Sequence, residues 1–291
     1  MPCRLTAATA LLLCGLSAGA HAQGAGFTLE LSPEHSAYAL EGAPGAIVHA
    51  PPGFDPRPPL HLVVFLHGYS GCARVLMGTG SVTCRPGDAP RKGWDLARRH
   101  DEGERNTLFV IPQLAFMKRD GKPGCFGKRD CFKRFLGELL AGPLAQRIGG
   151  PRSLQDVASI TLVAHSAGFQ TALAILEQGG VERLVHNVIL MDALYARARG
   201  FARWITTTPV KAPRLLSIYL GDGKTSKGSR ELYRSARRKL GGERVAKVER
   251  DGIDAALRTH TLVIASGRAP HRLVPENYLA RVLQALDLPA R

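Results

Sequence analysis

The chain has 291 residues, of which 45% are hydrophobic and 22% charged, and its formal net charge is +15 at pH 7. This composition is typical of a globular protein and excludes a largely disordered chain. No zinc-finger spacing, heptad repeat or RNA-binding aromatic motif accompanies the positive charge, so we expect no nucleic-acid partner.

The first 22 residues have the pattern of a secretory signal peptide. Arg4 precedes an apolar stretch that ends at Leu16, and a segment of small residues follows it and ends in the A-x-A pattern Ala20-His21-Ala22. The apolar stretch is too short to span a bilayer. We therefore predict a protein that does not span the membrane and is exported to the periplasm or the medium, with cleavage after Ala22.

Short apolar runs rich in β-branched residues alternate with longer segments of helical period, which predicts a mostly parallel sheet with helices on both faces. The segments 27–31 and 37–40 are expected to form an opening hairpin, with a further strand at 46–50. Buried strands are predicted at 61–68, 107–113, 159–166, 185–192, 215–220 and 260–267. Helices are predicted near residues 94, 132, 201 and 229, directly after residue 166, and from residue 275 onward.

Export would leave four cysteines in a compartment that permits disulfides, namely Cys72, Cys84, Cys125 and Cys131. Three connectivities are open, and sequence does not choose among them. We favour the local pairs Cys72 with Cys84 and Cys125 with Cys131, because each closes a loop rich in Gly, Arg or Lys. A zinc site is the rival interpretation, but no C-x-x-C or H-x-x-x-H pair supports it.

Basic residues cluster in the segments 118–134 and 234–240. The simplest interpretation is a solvated basic surface. The alternative is that this surface attracts an anionic envelope polymer or an acidic lipid surface.

Ser166 lies between a predicted strand and a predicted helix, within AHSAG. A strand that enters a helix through a sharp turn holds the turn side chain above the carboxyl edge of the sheet, where the first N–H groups of the helix also point. Such a turn needs small neighbours, and Ala164 and Gly168 are small. Ser166 is therefore a candidate nucleophile, with a structural turn hydroxyl as the alternative.

AHSAG resembles the nucleophile elbow G-x-S-x-G of the α/β-hydrolase superfamily, with alanine in place of the first glycine. The segment VVFLHGYSG at 63–71 is similar to the superfamily's H-G motif after its third strand. The resemblance implies that the backbone N–H groups of Tyr69 and Ala167 form the oxyanion hole. In this interpretation His67 shapes the loop and is not a base.

The resemblance covers residues 37–288 and implies one α/β-hydrolase domain over residues 23–291. The fold it implies has about eight strands in a mostly parallel central sheet, with helices on both faces. Only 22 residues separate Asp192 from the next predicted strand, so a large cap domain is not expected. The loop 114–131 is expected to form a rim of the site.

The superfamily orders its triad as serine, acid and histidine, with the histidine in a loop after the last strand. His271 follows the predicted strand at 260–267 and an irregular loop, so the resemblance implies that it is the general base. His165 is expected to point away from the elbow.

Two aspartates are candidates for the acid. Asp192 ends the predicted strand at 185–192 between apolar neighbours, where a dry carboxylate needs a partner such as an imidazole N–H. Asp222 follows the next strand but lies between glycines in a segment that also resembles a flexible turn. We prefer Asp192 and keep Asp222 as the alternative.

The resemblance implies a serine hydrolase that cleaves small-molecule or polymeric carboxylic esters through an acyl-enzyme intermediate, without a cofactor or a metal. One alternative uses the same triad to transfer the acyl group to an alcohol or sugar. Another is a non-catalytic protein of the same fold that binds an anionic envelope polymer. Phe201 and Trp204 either line an acyl pocket or, as we prefer, pack in the core.

Overall fold

The computed structural model describes residues 24–57, 59–69, 71–117 and 121–291. The predicted signal peptide lies outside these residues. The strands are β1 Phe27–Leu31, β2 Ala46–Ala50, β3 Leu60–Leu66, β4 Ser81–Val82, β5 Arg91–Lys92, β6 Leu108–Pro112, β7 Val157–His165, β8 Val185–Met191, β9 Arg214–Leu220, β10 Val245–Glu249 and β11 Leu262–Gly267. The α-helices are α1 Ala73–Met77, α2 Leu96–Asp101, α3 Cys131–Ala141, α4 Phe169–Gln178, α5 Ala198–Thr207, α6 Lys224–Leu240, α7 Ile253–Thr259 and α8 Val274–Ala285.

Nine of these strands form one sheet in the order β1-β2-β6-β3-β7-β8-β9-β11-β10. The seven strands from β6 to β10 in this order pair in parallel, whereas β2 pairs antiparallel to both β1 and β6. The strands β4 and β5 form a separate small hairpin. The predicted fold class, a mostly parallel sheet flanked by helices, is therefore confirmed, with nine strands in the sheet.

The buried side chains form two apolar clusters, one on each face of this sheet. The strand β3 shows why: Leu62 and Val64 join one cluster, while Val63 and Phe65 join the other, because successive side chains of a strand point to opposite faces. Helices α3 to α6 cover the first face, and α1, α2, α7 and α8 cover the second. A strand buried on both faces appears in the sequence as a continuous apolar run, which made the inner strands predictable.

Some elements differ from the sequence prediction. The segment 37–40 is not a strand, and β1 instead forms its antiparallel pair with β2. The sequence analysis also missed β10, α1 and α7. The strand β10 lies at the edge of the sheet with four of its five residues exposed or partly exposed, so it lacks the apolar run that identifies the inner strands.

The four cysteines of the described chain lie in the two favoured local pairs. Cys72 and Cys84 have their Cα atoms 5.8 Å apart, and Cys125 and Cys131 have theirs 5.9 Å apart, with the sulfur atoms at disulfide distance in both. The first pair ties the start of α1 to the loop before β5, and the second ties the start of α3 to the loop before it.

Over the described residues, no helix combines the length and the hydrophobicity that crossing a membrane requires.

Candidate active site

Ser166 occupies a strained turn between β7 and α4. Its φ is +54°, a left-handed value that is uncommon for a residue with a side chain. One turn of 3₁₀-helix, Ser166–Gly168, connects the strand to α4. A Cβ atom on Gly168 would overlap the carbonyl oxygen of Leu66, and one on Gly68 would stand 2.7 Å from the Ser166 Cβ. Glycines at both positions therefore allow the loop after β3 to lie against the turn.

His271 lies in the loop after β11, at the start of a 3₁₀ turn that leads into α8. Its Nδ1 atom is 2.6 Å from Oδ2 of Asp192. A carboxylate only accepts hydrogen bonds, so Nδ1 carries the proton and Nε2 is left with its lone pair. The side chain of His271 is 41% exposed, whereas that of Asp192 is 8% exposed.

Asp192 directly follows β8, with φ +45°. Its Oδ1 atom accepts hydrogen bonds from Thr225 Oγ1 at 2.5 Å and from the backbone N–H of Leu220 at 3.3 Å. Burial acts to raise the pKa of Asp192, but the hydrogen bonds from His271, Thr225 and Leu220 outweigh it, so the pKa lies below its ordinary value. The carboxylate is therefore ionised and fixed at neutral pH.

Asp222 lies elsewhere. Its side chain is 89% exposed and accepts a hydrogen bond from Arg230 at 2.8 Å, on the outer surface of α6. The structure thus brings Asp192, and not the alternative Asp222, to His271.

Sequence analysis missed Thr225 and Tyr195. Thr225 is buried in the first turn of α6, and its hydroxyl orients Asp192. Tyr195 lies near the Ser166 side chain, and its ring lies edge-on to that of His271 with centroids 6.5 Å apart. Neither residue belongs to a sequence motif, because each reaches the site from a separate loop or helix end.

The Ser166 hydroxyl is beside Tyr195, and within the described chain no hydrogen bond joins it to His271. Tyr195 lies near both side chains, and Ser166 directly follows His165, whose ring packs against that of His271, so Ser166 and His271 lie close together at the carboxyl edge of the sheet. Burial and the nearby Asp192 charge raise the pKa of Tyr195, against the effect of the hydrogen bond with Ser166. Tyr195 is therefore neutral at pH 7.

A small recess opens next to Ser166. Its lining includes Tyr69 and Ala167, the two residues whose N–H groups the sequence analysis singled out, together with Gly68, Gly121 and Lys122. A Cβ atom on Gly121 would stand 3.1 Å from that of Ala167, so this residue of the expected rim borders the elbow.

Similarity to known proteins was found in solved structures. No protein-family model matches the chain, and no curated protein matches it. The feruloyl esterase module from Clostridium thermocellum in complex with sinapinate is 12% identical, with a TM-score of 0.54 over 90% of this chain and 88% of that one. A structure described as FAE is 11% identical, with a TM-score of 0.51 over 89% of this chain and 88% of that one. The protein has the α/β-hydrolase fold.

Within this α/β-hydrolase fold, His67 holds the loop after β3. Its Nε2 accepts the backbone N–H of Leu114 at 2.9 Å, so its Nδ1 must be the protonated nitrogen, which donates to the carbonyl of Gly68 at 2.9 Å. Burial lowers the pKa of His67 to about 4, so the ring is neutral at pH 7. Both of its nitrogens bind backbone, which agrees with the predicted role in shaping the loop.

His165 is the clearest correction to the sequence analysis, which expected it to point away from the elbow. Its ring packs against that of His271 with centroids 4.5 Å apart, and its Nε2–H donates to the His271 carbonyl at 3.0 Å. Trp94 lies edge-on to the ring, with centroids 5.4 Å apart. The loop that carries His271 passes over the side of β7 on which His165 lies, so the two rings meet.

The burial of His165 predicts an acid-sensitive fold. Burial and repulsion from His271 lower the pKa of His165 to about 3, against 6.5 for a free histidine. Between these values the unfolded chain binds a proton that the folded chain does not, so stability is lost as the pH falls below about 6.5. When the pH is lowered from 7 to 5, we expect the free energy of unfolding to fall by about 2 kcal/mol less in His165→Gln than in the wild type.

Urea denaturation of both proteins at the two pH values measures this difference. Equal losses of stability in the two proteins would show that His165 is not the residue responsible.

Phe201 and Trp204 lie on α5, the short helix between β8 and β9. Phe201 is fully buried in the apolar cluster beneath α5. Trp204 lines a groove between α4 and α5 with Leu173 and Thr207, away from the recess beside Ser166. Both therefore pack in and around the core, as preferred from the sequence.

Proposed function

We propose that the protein is an exported serine hydrolase that cleaves carboxylic esters. In this proposal Ser166 is the nucleophile, His271 the general base, and Asp192 the acid that orients the imidazole. The observation that carries the proposal is the 2.6 Å hydrogen bond from His271 Nδ1 to a buried, ionised Asp192, beside a serine held at positive φ. The hydrogen bond fixes the tautomer in which Nε2 accepts a proton.

The reaction then follows from the positions of these groups. Ser166 Oγ attacks the ester carbonyl carbon while His271 Nε2 takes the hydroxyl proton, which gives a tetrahedral intermediate and an imidazolium paired with Asp192. The intermediate collapses, the C–O bond to the alcohol breaks, and His271 returns the proton to the leaving oxygen. Water repeats these steps on the acyl-enzyme and releases the carboxylic acid.

Negative charge develops on the carbonyl oxygen in both halves of the reaction. We propose that the backbone N–H groups of Tyr69 and Ala167, which border the recess beside Ser166, receive this oxyanion. Two fixed donors in such a recess contribute about 3 kcal/mol or more to stabilising the transition state. The first N–H groups of α4 add the positive end of a helix dipole at the same place.

Catalysis requires Ser166 to turn from Tyr195 toward His271. A rotation about χ1 of the serine moves the hydroxyl between neighbours without moving the backbone. Catalytic hydrogen bonds are often loose before substrate binds, and tighten in the complex. Tyr195 then contacts the bound substrate or the released alcohol, because it is 39% exposed at the mouth of the cleft.

Export belongs to the proposal and is supported by the two cysteine pairs at disulfide distance and by the signal-like first 22 residues. The ester class is supported by the fold, which this chain shares with a feruloyl esterase module. Tyr195 is 39% exposed and the side chain of His271 is 41% exposed, so the site is accessible from solvent. We therefore propose access for bulky or polymeric esters as well as small ones.

Labelling by a serine-directed fluorophosphonate tests this function. We expect stoichiometric labelling of the purified wild-type protein, and loss of both labelling and p-nitrophenyl ester hydrolysis, by about 10⁵-fold in kcat, in Ser166→Ala. The matched control is Ser32→Ala, at an exposed serine in a loop. An unlabelled wild type, or labelling that persists in Ser166→Ala, would refute the proposal.

A further inference from the structure

A second cluster of functional side chains lies far from Ser166. His49 is on β2, and His100 and Asp101 end α2. One imidazole nitrogen of each histidine and one carboxylate oxygen of Asp101 all lie within 4.8 Å of one another. His49 pairs with Phe109 near the amino end of β6, so the cluster lies at the edge of the sheet opposite to the carboxyl ends that carry the elbow.

His100 gives the strongest indication that this cluster has a missing partner. The residue is 0% exposed, and its Nδ1 atom is buried without a hydrogen-bond partner. Its nearest ionic neighbour is Asp101 Oδ1 at 3.9 Å, which is too long for a hydrogen bond. A buried, unpaired imidazole nitrogen is costly, and this one faces the same oxygen that His49 binds at 2.8 Å.

The outer nitrogens of both imidazoles already have partners. His100 Nε2 lies 2.7 Å from the Thr107 hydroxyl, and His49 Nδ1 lies 2.9 Å from the Thr28 hydroxyl. A proton on His100 Nε2, donated to Thr107, leaves His100 Nδ1 with a lone pair that faces Asp101. His49 Nε2–H donates to Asp101 in the absence of an ion, and transfer of that proton to Nδ1, where the Thr28 oxygen can accept it, would free Nε2 for a metal. Metal-binding histidines are oriented in this way by an outer hydrogen bond.

We propose that His49, His100 and Asp101 bind a divalent transition-metal ion, with Zn²⁺ the best match. Two imidazole nitrogens and one carboxylate oxygen suit Zn²⁺ better than Mg²⁺ or Ca²⁺, which prefer oxygen ligands. Tetrahedral bonds of about 2.0 Å place ligand atoms about 3.3 Å apart. The distances of 2.8 Å and 3.9 Å bracket that spacing, so small side-chain shifts complete the site.

Water would occupy the fourth coordination position of the ion, because Asp101 is partly exposed to solvent, whereas the two histidines are buried. The ion would join β2 to the end of α2. At the same place the guanidinium of Arg291 donates a hydrogen bond to the backbone carbonyl of Asp101. Because the site is remote from Ser166, we expect the ion to stabilise the folded protein and not to take part in ester hydrolysis. The proposal is independent of the catalytic one.

Metal binding can be measured directly on tag-free protein that has been stripped with EDTA and dialysed. We expect one equivalent of Zn²⁺ by calorimetry, a rise in Tm of about 5 °C with Zn²⁺ but not with Mg²⁺, and the visible absorption of tetrahedral Co²⁺ on substitution. Fluorophosphonate labelling should be the same with and without metal. Absence of zinc binding to the wild-type protein would overturn the proposal, whatever the variants do.

Variants locate the site. His49→Gln and Asp101→Asn should each lower the affinity for Zn²⁺ at least 10-fold and remove the Tm rise. The matched control is Glu138→Gln, because Glu138 belongs to a second group of possible ligands with Glu34 and His35, in which His35 is already paired with Glu138. Zinc binding that is unchanged in both His49→Gln and Asp101→Asn would contradict the proposal, as would its loss in Glu138→Gln.

Discussion

Asp192→Asn is expected to lower kcat for ester hydrolysis about 10⁴-fold while the protein remains folded. The asparagine has nearly the shape of aspartate, but its amide nitrogen can face His271 and stabilise the tautomer in which Nδ1 has no proton. Nε2 would then carry the proton, so it could not accept one from Ser166. The imidazolium formed during the reaction would also lose its counter-ion.

Asp222→Asn is the matched control for this experiment, since it makes the same chemical change in the other candidate acid. The Asp222 side chain is 89% exposed and forms an ion pair with Arg230. We therefore expect the kcat of Asp222→Asn to remain within about twofold of the wild-type value. Steady-state kinetics with a p-nitrophenyl ester measure both variants, and circular dichroism reports folding. A larger loss in Asp222→Asn than in Asp192→Asn would reverse the assignment of the acid.

Gly168→Ala is expected to lower the free energy of unfolding by about 3 kcal/mol or more. The added methyl group would overlap the backbone carbonyl of Leu66, which belongs to the central strand β3. A strand in the middle of a sheet cannot move without breaking its pairing with both neighbours, so the turn would be displaced instead. Ser166 would move with it, and labelling by fluorophosphonate should fall in the folded fraction as well.

Gly137→Ala is the control for the glycine substitution. Gly137 lies inside α3, and a Cβ atom there would have no neighbour within 4 Å. Alanine should therefore stabilise the protein by about 0.5 to 1 kcal/mol, because it restricts the unfolded chain and favours the helix. Urea denaturation measures both variants. Similar effects at the two positions would show that the overlap with Leu66 does not determine the result.

Some parts of the architecture follow from local sequence alone. The apolar runs at 61–68, 159–166 and 185–192 predicted inner strands, because a strand buried on both faces has no polar face to interrupt it. The small residues around Ser166 predicted a sharp turn, because larger side chains would not fit between strand and helix. The fold class was predicted correctly for this reason.

The acid was not predictable to the same degree. Asp192 and Asp222 each follow a strand of the same sheet, so position along the chain left both open. The distinction comes from contacts between distant segments: Thr225, Leu220 and His271 converge on Asp192, whereas Asp222 faces solvent. The catalytic roles themselves stay predictions until the variants above are measured.

The amino-acid sequence by itself determined the inner strands, most of the longer helices and the turn at Ser166, since periodicity and residue size act over a few neighbouring positions, and it favoured the local cysteine pairs. Tertiary structure alone decided the partner of His271, the position of Tyr195 over Ser166, the contact of His165 with the His271 loop and the meeting of His49 with His100. These pairs are separated by tens of residues or more along the chain, or lie on different elements. Packing of the sheet and its loops brings these residues together, and a local sequence pattern carries no information about such long-range contacts.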